Sequence, residues 1–420
     1  MTLFAIVLQI ALGVFSENPE FSAGGLSGYH PQDTLVSEAP KGYKPFYISH
    51  IGRHGSRYIS QTGSKCFNVV DTLALYADKG LLSENGLALL EDLRMLYDIS
   101  KDNWGALTEQ GAREHRDICS RMVRHYPEVF TNSRRRGITA YSTESPRVMA
   151  SMNAFLGELT GRESGLNVTT YETSWKKKDP ISQEVCGYYI PRPDRKKFEE
   201  KVKDLTELNK NLLKGYDLKG FGSRVFSDTS KIRYSTVQYI AKTGFKCLKT
   251  GCLTDPETMP GPGKYFTAGE LYYLWMPGNL HWAVKMRSPG YENPFTKACG
   301  DGLLAKIVED ADKAIAAGST EAATLRFSHD TYLFPVIASI PLEGAYLDCK
   351  ETDIAEFFQD YRYICTGCNV QIIFYRKGNK EKGKVLVKFL VNEKETPVHG
   401  LKPVTGVYYD WDKVKKTWNL

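Results

Sequence analysis

The segment Arg53-His54-Gly55-Ser56-Arg57-Tyr58 places one imidazole between two guanidiniums. Imidazole is a good nucleophile near neutral pH. Guanidinium forks match the oxygens of a phosphoryl group, which an ammonium meets only as a point charge. A histidine bracketed in this way has what attack on a phosphate monoester requires. The apolar run Phe46-Tyr47-Ile48-Ser49-His50-Ile51 leads into it and reads as a buried strand. Gly52 and Gly55 flank the histidine, so a sharp turn is expected there.

Two later stretches repeat the pattern of a strand ending in charge. Gly137-Ile138-Thr139-Ala140-Tyr141-Ser142 reads as a strand, and Thr143-Glu144-Ser145-Pro146-Arg147 turns it into a helix. Ser145 suits the N-cap and Pro146 the first helical position. Arg147 then opposes the helix dipole, a conflict that an anion at the same helix end resolves. Ala323-Thr324-Leu325-Arg326-Phe327-Ser328 reads as a third strand, ending in His329-Asp330. Alone, Arg147 reads as well as a surface arginine, Asp330 as a helix cap and His329 as a loop histidine. Their shared position after strands joins them, because ligands of open α/β sheets bind beyond the carboxyl ends of the strands.

The elements between these strands follow from periodicity. Residues 71–97 are helical in pattern, with a break at Lys79-Gly80. Thr108 is an expected N-cap for a helix whose apolar face is Ala112, Ile118, Cys119, Met122, Val123 and Tyr126, ended by Pro127. Val148, Met152, Phe155, Leu156 and Leu159 line the helix after Arg147. From 176 the chain becomes mostly helical, opening on Lys176-Lys177-Lys178. Asp194 caps a stripe of Phe198, Val202, Leu205, Leu208 and Leu212. Residues 230–248, 268–286 and 302–317 complete the segment, the last closing at Gly318. Residues 369–375 and 385–391 form a hairpin expected to complete the sheet edge. The chain thus divides into an α/β core at 17–175 and 319–420 with a helical insert at 176–318. The fold class is α/β, a three-layer sandwich with a mostly parallel central sheet plus a smaller helical insert domain.

Composition narrows the partners. The 420 residues are 42% hydrophobic, enough for a sizeable core, and the net charge is +6. That charge suits a small anionic substrate. It does not argue for nucleic acid, since no basic stripe is interleaved with aromatics. Residues 3–15 form an apolar run too short to span a bilayer and of signal-peptide length, with Val14 and Ser16 suited to cleavage after Ser16. The positive residue that usually precedes such a run is absent, and a buried N-terminal element is the alternative. With residues 1–16 as signal peptide, the protein is secreted or periplasmic. Nine cysteines fit an oxidising compartment loosely; Cys365-Thr366-Gly367-Cys368 has no second half with zinc spacing, and reads as a structural disulfide or as free thiols.

At this point the sequence resembles the histidine acid phosphatases, the branch of the histidine phosphatase superfamily with R-H-G-x-R and a later H-D. Arg53-His54-Gly55-Ser56-Arg57 resembles the nucleophile loop. Leu107 to His115 resembles the L-T-x-x-G helix start, Ser142 to Val148 the segment with a third phosphate-binding arginine, and His329-Asp330 the acid pair. Tyr58 and Ala112-Arg113-Glu114-His115 are most similar to the multiple inositol polyphosphate phosphatases and phytases. The multiple inositol polyphosphate phosphatases usually carry His-Ala-Glu where this chain has His329-Asp330-Thr331; His-Asp is the form of the other acid phosphatases and phytases.

The resemblance implies catalytic His54 and Asp330, with substrate phosphate bound by Arg53, Arg57, Arg147 and His329. His54 would attack phosphorus and form a phosphohistidine. The arginines and His329 would hold the equatorial oxygens. Asp330 would protonate the leaving alkoxide and then activate water. No metal or other cofactor is implied, because the arginines supply the positive charge. The cationic cluster favours ionised Asp330, so a working acid argues for mildly acidic operation. Inositol polyphosphates are the implied substrate. The alternatives are a broad-specificity acid phosphatase and, from another class, an inactive phosphate-binding protein.

Overall fold

The computed structural model describes residues 13–31, 36–174, 180–186, 207–286, 294–344, 354–378 and 383–420. Lys176 to Lys178, Asp194, Phe198, Val202 and Leu205 lie outside them, as does most of the signal-like run.

The strands are β1 (Tyr43–Arg53), β2 (Gly137–Thr143), β3 (Asn167–Thr173), β4 (Glu321–Ser328), β5 (Asn369–Lys377), β6 (Val385–Val391), β7 (Lys394–Glu395) and β8 (Tyr409–Asp410). Their order is β3-β2-β4-β1-β5-β6-β7, with β8 on β6. The first four are mutually parallel, and β5 and β6 are antiparallel. The expected hairpin is present, but β5 lies beside β1 in the interior and β7 forms the rim beyond β6. Strand β3 escapes sequence reading. It is a polar, mostly exposed edge strand, so it lacks the apolar signal that marks β1, β2 and β4.

The main helices are α1 (Val69–Asp78), α2 (Glu84–Ser100), α3 (Glu109–His125), α4 (Pro146–Arg162), α5 (Tyr234–Thr254), α6 (Ala268–Met286), α7 (Pro294–Ile315) and α8 (Asp330–Ser339). The break before Ser83 falls where expected, and Ser83 caps α2 by accepting from the Gly86 N–H. α7 starts well before residue 302 and stops at Ile315, and Gly318 takes the left-handed conformation after it (φ 78°). Side chains alternate across a strand. On β4, Phe327 meets Phe155 of α4, while its neighbour Arg326 reaches Asp310 of α7. α3 with α4 and α7 with α8 therefore cover opposite faces, which makes the three layers.

Among the described residues, two hydrophobic clusters stabilise the chain. One surrounds the sheet and draws on α3, α4, α7 and α8. The other joins Val69, Leu73, Leu89, Leu93 and Leu96 of α1 and α2 to Ile240, Phe245 and Leu248 of α5 and Leu271 and Trp275 of α6. α6 connects the two, because its Leu280 and Ala283 belong to the first. Phe15 is buried in the second cluster against Trp275 and Tyr361. Among the described residues, no helix is long and apolar enough to cross a membrane.

Candidate active site

Parallel pairing of β1 with β4 sets Arg53 beside Ser328. The two charged ends seen in the sequence are thereby neighbours. The His54 N–H donates to the Ser328 carbonyl (3.0 Å), and the Arg53 N–H to the Cys368 carbonyl at the start of β5 (2.8 Å). The loop that carries His54 is thus held by the strands on both sides.

Gly52 and Gly55 serve close packing rather than a left-handed turn, since neither has positive φ. A Cβ on Gly55 would lie 2.3 Å from the Gly111 carbonyl oxygen, and one on Gly111 would lie 2.1 Å from the Ser56 carbonyl oxygen. The loop therefore sits directly on the first turn of α3. Thr108 caps that turn by accepting from the Gly111 N–H (3.1 Å).

The six expected residues converge on one cluster. His54 is 2% exposed, and its Nδ1 lies 2.9 Å from the Gly55 carbonyl oxygen. A carbonyl can only accept, so Nδ1 carries the proton and Nε2 keeps its lone pair. Burial, then Arg53, Arg147, His329 and Arg57, push the His54 pKa well below its ordinary value. The shift favours the neutral imidazole. Its ring centroid is 5.5 Å from that of His329. His329 Nδ1 faces Arg147 Nη2 at 3.5 Å, and its Nε2 faces Thr143 Oγ1 at 3.2 Å. Arginine only donates, so the His329 proton sits on Nε2. Burial, then Arg147, bring the His329 pKa down to about 4.

Arg53 is anchored by Gly25 and Ile364 carbonyls through Nη1, and its Nη2 pairs with Asp330 Oδ2 at 2.7 Å. Burial alone would raise the Asp330 pKa. Arg53, then His329, the Thr331 N–H and Arg57 outweigh it, and the net shift is downward. Burial and the facing cations Arg53 and Arg147 lower the Arg57 pKa to about 10. Arg147 is lowered by burial and by Arg53. These shifts share a cause: like charges crowd a partly desolvated space, and an arriving anion relieves their repulsion. Ser145 stands at the N-cap of α4, but its side chain makes no capping bond, contrary to expectation.

Sequence reasoning missed the carboxylate beneath this cluster. Glu114 is buried on α3, and its oxygens accept from the Ser56 N–H (2.8 Å), the Ser56 hydroxyl (2.6 Å) and the Tyr29 N–H (3.1 Å). Thr366 Oγ1 is within 3.3 Å. Ser56 lies between His54 and Arg57, so Glu114 holds the loop by its middle. One signal was available: Glu114 is one turn before Ile118, on the apolar face of α3. Glutamine at 114 would turn an amide N–H₂ towards donors, which misplaces the loop. We expect Glu114→Gln to lower kcat about 10- to 100-fold with a smaller effect on KM. A lowered melting temperature with unchanged kcat would reduce Glu114 to a purely structural role.

The sheet with its charged cluster at the carboxyl ends of β1 and β4 defines an α/β protein with a cationic cluster suited to an anion. Residues 49–392 match the histidine phosphatase superfamily (branch 2), and the chain belongs to that family. It is a phosphomonoester hydrolase. No curated protein sequence matches it. Among solved structures it is similar to the apo form of the multiple inositol polyphosphate phosphatase of Bifidobacterium longum. That likeness has 17% identity and TM-score 0.71, covering 94% of this chain and 97% of the other. The complex of that enzyme with inositol hexasulfate aligns at 16% identity and TM-score 0.69, with the same coverage. The phytase of D. castellii aligns at 17% identity and TM-score 0.71, covering 96% of this chain and 86% of the other.

Proposed function

We propose that the protein hydrolyses inositol polyphosphates through a phosphohistidine on His54. The observation that carries this reading is a neutral, buried imidazole with Nε2 unprotonated, set among three arginines and 5.5 Å from His329. Arg53, Arg57, Arg147 and His329 hold the transferring phosphoryl oxygens. The charge of the three arginines stabilises the transition state in place, without reorganisation. His54 Nε2 attacks phosphorus, and Asp330 delivers a proton to the leaving alkoxide. The resulting carboxylate then takes a proton from the water that cleaves the phosphohistidine.

In the free enzyme Asp330 is ionised against Arg53, so its proton has to arrive with the substrate. A monoanionic phosphate ester brings one. Its charge also offsets the arginines and raises the Asp330 pKa. The reaction is therefore favoured in mild acid, where that monoanion is abundant.

The inositol polyphosphate substrate is supported by the fold shared with an enzyme solved with inositol hexasulfate and with a phytase. His329-Asp330 in place of His-Ala-Glu favours the second reading, a broad-specificity acid phosphatase. Division into a core (17–175, 319–420) and a cap (176–318) belongs to the same proposal. The second hydrophobic cluster supports a cap, to which α1 and α2 contribute as well as α5 and α6. Cap lysines, Lys176 to Lys178 among them, would attract the extra phosphates of a polyphosphate. Changing those three to alanine should raise KM for inositol hexakisphosphate several-fold and leave a small monophosphate unaffected. Equal effects on both substrates, or no activity on inositol hexakisphosphate, would favour the broad phosphatase. We also propose export, with residues 1–16 removed. Burial of Phe15 favours their retention instead. N-terminal sequencing of the mature protein separates the two.

A further inference from the structure

Cys66 lies in the short turn Gly63–Asn68, a few residues past the nucleophile loop, and Cys247 lies on α5. They are 181 positions apart in sequence, yet their sulfurs are 2.9 Å from each other, and both side chains are buried. A disulfide places its sulfurs at about 2.05 Å, so bonding needs a local shift of roughly 0.9 Å. Both residues belong to the second hydrophobic cluster, packed with Phe67, Phe245 and Leu248. Cys299, by contrast, turns its thiol to the Cys186 carbonyl at 3.0 Å.

We propose that Cys66 and Cys247 form a disulfide that clamps the turn after the nucleophile loop onto α5. The Cys247 S–H donates to the Cys66 sulfur. That hydrogen bond, opposed by burial and aided by Lys246, holds the Cys66 thiol below its ordinary pKa. Cys66 is therefore the attacking thiolate. It displaces one thiolate from a small-molecule disulfide such as oxidised glutathione. Cys247, losing its proton, then attacks the Cys66 sulfur of the mixed disulfide and releases the second. Two protein thiols lose two electrons and two protons, and the small disulfide is reduced to two thiols.

The clamp bears on the site through α5. The Thr108 hydroxyl lies 2.9 Å from the Leu253 carbonyl near the end of α5 and 3.0 Å from the Ser56 carbonyl in the nucleophile loop. Fixing α5 to the Gly63–Asn68 turn therefore braces the wall behind that loop. It also closes a loop of some 180 residues in the unfolded chain, which disfavours unfolding.

The test uses the full chain equilibrated with oxidised and reduced glutathione, alkylated and digested without reductant. Mass spectrometry should find the Cys66 and Cys247 peptides linked. Cys66 alkylated, or linked to another cysteine, overturns the proposal. Under the same oxidising conditions, Cys66→Ala, Cys247→Ala and the double variant should melt at one common temperature, roughly 3–8 °C below the wild type. Losses that add between the single variants overturn it as well. Peptide mapping of the wild type stands even if a variant does not fold.

Discussion

His54→Ala is expected to abolish turnover, with kcat falling about 10,000-fold or more while the melting temperature stays near that of the wild type. The imidazole is the group whose Nε2 lone pair faces the cationic cluster, and alanine offers no nucleophile in its place. The arginines remain, so phosphate should still bind. Rapid alkaline quench of the wild type during turnover is the complementary measurement, because a phosphohistidine is labile in acid and stable in base. An adduct recovered after alkaline work-up and absent from the alanine variant supports covalent catalysis. Near-normal rates in the variant would mean that water attacks phosphorus directly.

Asp330→Asn should separate substrates by leaving group. Asparagine keeps the shape but has no proton to deliver. For alkyl phosphates such as inositol phosphates, kcat/KM should fall about 100- to 10,000-fold. For aryl phosphates, whose phenoxide leaves unaided, kcat/KM should change little. Hydrolysis of the phosphohistidine would still be slow, so a burst of phenol equal to the enzyme is expected. Equal losses for both substrates would make Asp330 a positioning group for Arg53, to which it is bonded at 2.7 Å.

The pH profile follows from the same carboxyl. The Asp330 pKa is lowered in the free enzyme, so raising pH does not remove a proton from it. What is lost is the substrate monoanion, whose proton dissociates near pH ~6. For alkyl phosphates the alkaline limb of wild-type kcat/KM should therefore lie near that value and move with the substrate. The acid limb reflects protonation of His54 and lies well below the ordinary histidine value, because burial and the arginines hold its pKa down. An alkaline limb that stays fixed while the substrate pKa is varied would assign it to the enzyme instead.

The sequence by itself marked the candidate site and the local elements. Arg53, His54, Arg57, Arg147, His329 and Asp330 form the proposed phosphoryl site, legible through their types and their place after short apolar runs. Thr108 and Pro146 mark helix starts through requirements that reach only three or four residues along the chain. Such features are local, so composition and periodicity carry them. The tertiary structure decided what meets across long separations. Parallel pairing of β1 with β4, nearly 280 positions apart, brings His54 and Asp330 to one rim. Arg326, an unremarked charge in a strand, is fully buried between Glu184 and Asp310. Glu114 holds the nucleophile loop from below, and Cys66 finds Cys247 across 181 positions. None of these pairings has a periodic signature. Each depends on loop closures whose outcome is set by the packing of the whole sheet and its helices, and a single residue's neighbours in sequence do not encode it.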